Sequence, residues 1–168
     1  MVIKPTNIIE MDDAGSGSLY GGVLILATDG RHDFSSEVPL SAFNVEDRKL
    51  RNQKIAESVG QIALLSARNL KAEKNTTEFH LCQGNILDAA ERALKEAGFK
   101  VVRQKIEGRT NLEAEKLFKI LLKEKYNVAN YNARDYAGEN LRQFALLKSR
   151  RDFENVKNQS KGVLELRK

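Results

Sequence analysis

The sequence holds a single cysteine, Cys82. An intramolecular disulfide is therefore excluded, and so is a zinc site built on cysteine pairs. Cys82 falls in the apolar stretch Glu78 to Cys82, and it reads as a small buried hydrophobe rather than a nucleophile. Histidine is almost as scarce. His32 lies by a turn and His80 within a strand-like run, and neither has metal-ligand spacing to a second strong ligand. With 2 prolines and 11 glycines the chain is neither a low-complexity linker nor a collagen-like array. No apolar run approaches the ~18 residues of a spanning helix. The longest, Gly21 to Ala27, is of strand length. Met1 to Pro5 opens no apolar segment of the secretory kind, so a cytoplasmic protein without a membrane partner is expected. There is no Walker loop, Gly15-x-Gly17 lacks the third glycine of a dinucleotide fingerprint, and Ser16 and Ser18 lack a His-acid signature.

The 168 residues suit one domain with a proper core, and 41% hydrophobic with 30% charged residues excludes a disordered chain. The net charge of +5 is unevenly spread. Before residue 48 stand Glu10, Asp12, Asp13, Asp29, Asp33, Glu37, Glu46 and Asp47 against only Lys4 and Arg31. An acidic opening on an otherwise basic chain fits an acidic pocket on a surface that attracts a polyanion, and ordinary charge scatter remains the plain alternative.

Hydrophobic periodicity orders the elements. Thr6 to Asp12 reads as a strand, Ala14 to Gly17 as a turn, and the unbroken Gly22 to Ala27 as a buried strand. Asp29-Gly30 predicts a hairpin into a third, edge-like strand, Arg31 to Leu40, with Pro39 at its end. A long helix, Asn44 to Leu70, has Asn44 as N-cap and Ile55, Val59, Ile62 and Ala63 on one face. Then come a strand from Glu78 to Cys82, a helix from Ile86 to Ala97 capped by Asn85 with Asp88 in a capping box, and a strand from Lys100 to Ile106. A helix from Asn111 to Lys125 turns Leu117, Phe118 and Leu121 inward. The remainder predicts a helix over Ala137 to Phe153 and a basic, irregular tail. The order β-β-β-α-β-α-β-α makes an α/β fold with one mixed five-stranded sheet. It divides into a core over 1–126 and a C-terminal helical extension over 127–168.

The densest chemical signal is Asp12-Asp13-Ala14-Gly15-Ser16-Gly17. Two acids end a strand, where carboxylates suit a hard cation such as Mg²⁺. Glycines then let backbone amides approach a sugar or phosphate. A hydrophilic turn with no chemistry uses the same residue types. Followed by Gly21-Gly22-Val23, this stretch resembles the opening motif of type 2 ribonucleases H, Asp-Glu-Ala-Gly-x-Gly, then Gly, then a Val-rich strand. The element order is likewise similar to that of the ribonuclease H-like fold.

The resemblance implies a nucleic-acid-binding protein that hydrolyses phosphodiester bonds with Mg²⁺ or Mn²⁺, on an RNA–DNA hybrid or a structured nucleic acid. It places Asp12 as metal ligand and Asp13 where the family has a neighbouring Glu. Gly15, Ser16 and Gly17 match the turn that contacts the ribose 2′-hydroxyl, with Ser16 standing where the family has Arg. The remaining acids of such a site come from the first helix, the end of the fourth strand and the last core helix. Asp47, beside the apolar helix face, is the candidate from the first, and Glu57 points away from it. Glu113 or Glu115, on opposite edges of the last core helix, would complete the set. Cys82-Gln83-Gly84-Asn85 carries no carboxylate where the family has Asp, and Asp88 one turn later reads as a helix cap. Arg109, in the loop before the last core helix, is the candidate for a phosphate contact. The missing acid supports an alternative, a catalytically inactive binding or scaffold protein of the same fold. Tyr126, Tyr131 and Tyr136 among basic residues fit either base stacking or plain core packing. The oligomeric state, a homodimer included, is left open.

Overall fold

The computed structural model describes residues 5–168, apart from the side chain of Lys161. Met1 to Lys4, where the sequence reading places no leader segment, lie outside the described residues. The chain is α/β, with a five-stranded mixed sheet in the order β3-β2-β1-β4-β5. Strands β1 (Asn7–Ala14), β2 (Val23–Thr28) and β3 (Asp33–Val38) form an antiparallel meander. Strands β4 (Thr77–Leu81) and β5 (Lys100–Arg103) run parallel to β1. Each parallel step needs a crossover, supplied by α2 (Arg48–Asn69) and then by α3 (Asp88–Glu96). No helix among the described residues is long and apolar enough to cross a membrane.

Alternation along β1 assigns its side chains to two cores. Ile9 and Met11 face α2 and α3 with Val59, Ile62 and Leu94. Ala14 faces the other layer with Phe118 and Leu122 of α4 (Arg109–Tyr126). All six residues of β2 are buried, as its unbroken apolar run predicts.

Several boundaries differ from the sequence reading, each for a local reason. Strand β1 runs on through both acids to Ala14, because Asp13 and Ala14 pair with Ile25 and Leu24. Residues 31 and 32 belong to the hairpin, where Asp29 Oδ1 accepts from the Arg31 and His32 amides. Pro39 opens a short helix, α1 (Leu40–Phe43), that the pattern did not suggest. Asn44 is not the cap of α2: its amide donates to Val156 O and its carbonyl accepts from Asn158 N. Asn85 begins a single 3-10 turn with no side-chain cap, and Asp88 pairs with Arg103 instead of closing a capping box.

The C-terminal part is not an irregular tail. After α5 (Tyr136–Arg150) the chain makes a bridge from Val156 to Tyr20 and ends in α6 (Lys161–Arg167). Leu147, Val156 and Val163 are buried in the same cluster as Ala14 and Phe118. Of the three tyrosines, Tyr126 donates to Glu37 (2.5 Å) and Tyr131 packs edge-on against Phe118, so both serve the core. Tyr136 stays 63% exposed.

Candidate metal centre

Consecutive residues of a strand point to opposite faces, so Asp12 and Asp13 would normally diverge. Here they lie just past the end of β4, still paired with β2, and the Cys82 amide is bonded to Met11 O (3.0 Å). The Cys82 thiol lies between the two carboxylates and donates to Asp13 Oδ1 (3.3 Å). Among the described residues, Asp12, Asp13 and Cys82 each offer a ligand atom within 4.8 Å of the others.

Each carboxylate is oriented by neighbours. Asp12 is only 5% exposed. Its Oδ1 accepts from the Asp13 amide (2.9 Å) and its Oδ2 from the Asn111 side chain on α4 (3.1 Å). Burial raises its carboxyl above the ordinary value, partly offset by hydrogen bonds from Cys82, Asn111 and the Asp13 amide. Asp13 Oδ2 accepts from the Ser16 hydroxyl (2.6 Å). Burial, together with the charges of Asp12 and Asp13, pushes the Cys82 thiol up to about 12. At neutral pH it is a protonated donor, not a nucleophile.

The donor chemistry fits one hard cation held by two carboxylates and completed by water. It does not supply the further carboxylates that a pair of ions draws on. Asp47, Glu113 and Glu115 are not brought to this group. Asp47 is exposed and caps α2, accepting from the Leu50 amide (2.7 Å), because the free N–H groups of a helix start attract a carboxylate. Glu113 pairs with Lys116 (3.3 Å), and Glu115 lines a separate groove with Lys119 and Arg134. On α4 the residue that reaches the rim is Asn111, an amide where a carboxylate was expected. Arg109 is also displaced from expectation. Helix α4 runs parallel to β1, so its first residue lies at the far end of the sheet, with Nη1 donating to Gly30 O of the β2–β3 hairpin (3.1 Å). His32 and His80 stay outside the group, paired with Asp29 and Glu78.

The turn Gly15–Gly17 stands beside the acids as the sequence suggests. Gly15 has φ +93°, and a Cβ there would overlap the buried Phe118 ring. Gly15→Ala is expected to cost about 2–3 kcal/mol, combining backbone strain with a ring that has nowhere to move. Gly17→Ala meets only the exposed Tyr136 ring, which can swing out, and should stay within about 1 kcal/mol. Urea denaturation of the two variants checks the contrast.

What holds this turn was not visible in the sequence. The Gln143 side chain on α5 accepts through Oε1 from Leu19 N (2.7 Å), Tyr20 N (3.3 Å) and the Ser18 hydroxyl (3.2 Å). Lys157 donates through Nζ to Ser18 O (2.6 Å) and Gly15 O (3.2 Å), and burial pulls its amine down to about 7. On the opposite side Arg103 clamps the Cys82–Gly84 turn by donating to Cys82 O (2.9 Å) and Gly84 O (2.8 Å). Asn111, Gln143 and Lys157 contact the site from 99 to 142 residues away, a separation no local pattern reports. Arg103 is nearer in sequence, but within the run Lys100 to Ile106 it has Lys100 and Lys105 beside it and nothing singles it out. Compared with protein-family models and with curated proteins, the chain matches none.

Proposed function

We propose that this chain is a ribonuclease H-like domain that binds nucleic acid across the β1–β4 rim and cleaves phosphodiester bonds with one divalent cation, Mg²⁺ or Mn²⁺. The observation that carries this reading is the convergence of the Asp12 and Asp13 carboxylates within one 4.8 Å group, beside a glycine-rich turn. The strand order β3-β2-β1-β4-β5 is compatible with it. When bound, such a cation supplies phosphoryl polarisation and an activated water. The chain's own residues do the rest. Asn111 and the Asp13 amide fix the Asp12 carboxylate, and Ser16 fixes that of Asp13. The Gly15–Gly17 backbone faces the sugar-phosphate chain, and the exposed Tyr136 ring against Gly17 offers a face for stacking. Nearby Lys119 and Arg134 add positive charge for a polyanion.

A second reading, a domain that binds without turnover, is favoured by one observation. The groups that join the two aspartates are a protonated thiol and an amide, not carboxylates. One experiment separates the two. End-labelled RNA–DNA hybrid and four-way-junction DNA are incubated with the parent chain and Asp12→Asn across Mg²⁺ and Mn²⁺ titrations. Cleavage that needs the cation and disappears in Asp12→Asn is the expected result. Salt-sensitive binding without products would leave the binding-only reading. Absence of binding to every nucleic acid would reject both.

A further inference from the structure

Asp13 also forms one wall of an open cleft of about 760 Å³ between α2 and α3. This lies within the range of small-molecule sites, roughly 300–1,000 Å³. It is too small for a duplex. Its floor is apolar, with Phe43, Ile55 and Ile86. Its rim carries Asn52 from α2, Asn85 from the turn before α3, and Arg92 from α3. None of these three side chains bonds to another group among the described residues, so two amides and a guanidinium stand ready at the edge of an apolar slot. Gly84 keeps the passage to Asp13 open. Its backbone is ordinary extended chain (φ −63°, ψ 132°), so conformation does not require glycine. Space does: a Cβ there would come within 2.9 Å of Asp13 Oδ1.

A ligand for this cleft needs a flat apolar body, an edge that both gives and accepts hydrogen bonds, and an anionic group. A nucleoside phosphate has all three. Resting on the nucleic-acid reading of the same rim, we infer that the cleft receives one unpaired nucleobase from the strand whose phosphate lies at Asp13. Phe43 and Ile86 contact its faces, Asn52 and Asn85 its edge, and Arg92 the adjoining phosphate. The preferred substrate is then a nucleic acid with an unstacked nucleotide, such as a bulge or a junction, because a base held in a regular duplex must first be unpaired and unstacked.

The test uses the full chain in EDTA with hairpin oligonucleotides carrying 2-aminopurine, either bulged or paired, followed by fluorescence. The bulged probe is expected to bind at least tenfold more tightly, with a change in its emission. Two variants should erase that preference: Ala89→Trp, which fills the cleft and leaves affinity for the paired probe unchanged, and the exposed Arg92→Ala, which does not threaten the fold. Equal affinity for the two probes, or a preference that survives in both variants, would overturn the inference while leaving the nucleic-acid reading intact. Failure to bind either probe would remove that reading, and this inference with it. Tight binding of free nucleoside monophosphate without any bulge preference would overturn the placement of a strand-borne base.

Discussion

Replacing Gln143 by leucine is expected to cost the fold about 3–6 kcal/mol. The side chain is 1% exposed, so no water can replace what it accepts. Leucine has nearly the same volume, but it leaves the amides of Leu19 and Tyr20 without their acceptor and removes one partner of the Ser18 hydroxyl. A buried donor stranded in this way costs about 1–3 kcal/mol. Gln143→Glu keeps the accepting oxygen. It also sets a second carboxylate against Glu139, which the Gln143 amide now contacts at 3.3 Å, so its cost should be intermediate. Urea denaturation checks the order, parent above Gln143→Glu above Gln143→Leu, with slopes unchanged if only the native contacts are lost. A leucine variant as stable as the parent would mean that the turn does not depend on α5.

Asp12→Asn is expected to act in opposite directions on stability and on cation binding. Burial raises the Asp12 carboxyl above its ordinary value of 3.8, so the folded chain holds that proton more tightly than the unfolded chain does. Stability is then lost as pH rises through the folded-state value. In chelator-treated protein at pH 7 the buried Asp12 carboxyl is a net burden, and asparagine removes it while keeping the shape. The melting temperature of Asp12→Asn should equal or exceed that of the parent at pH 7, with the gain vanishing near pH 3, where both chains carry a neutral group. Mn²⁺ affinity should fall at least about a hundredfold, since even residues that only support a metal ligand are worth roughly 10–100-fold. Differential scanning calorimetry at the two pH values and Mn²⁺ titration by calorimetry check the two halves. A lower melting temperature at pH 7 with unchanged Mn²⁺ binding would contradict both.

The parts of this architecture that follow from local pattern were legible before any coordinates. The continuous apolar run of β2, the Asp29-Gly30 hairpin and the spacing of Val59, Ile62 and Ala63 on α2 each express a period or a turn chemistry that a few adjacent residues determine. The acid pair and its glycine turn were legible for the same reason. The completion of the site was not. Asp47 sits beside the apolar face on a helical wheel, but a wheel does not register that it stands before the first helical turn, where capping claims its carboxylate. Asn44 is a good cap by residue type and is drawn away by Val156 and Asn158 from the other end of the chain. Arg109 was assigned to the wrong end of the sheet because no local pattern reports that α4 starts against the β2–β3 hairpin, where Arg109 donates to Gly30 O. Cys82 looked inert by composition. It entered the site only because β4 stops beside β1 with its last amide on Met11.

The clamp on the Gly15–Gly17 turn sets the order in which the molecule can be finished during synthesis. Ribosomes release a chain N-terminus first, at about 5–20 residues per second. Both aspartates therefore leave the exit tunnel long before Gln143 and Lys157 exist to anchor the loop between them and β2. The acid pair and its turn are thus translated before the residues that fix their shape. Removal of α5 or of Lys157 consequently acts on the Gly15–Gly17 turn itself.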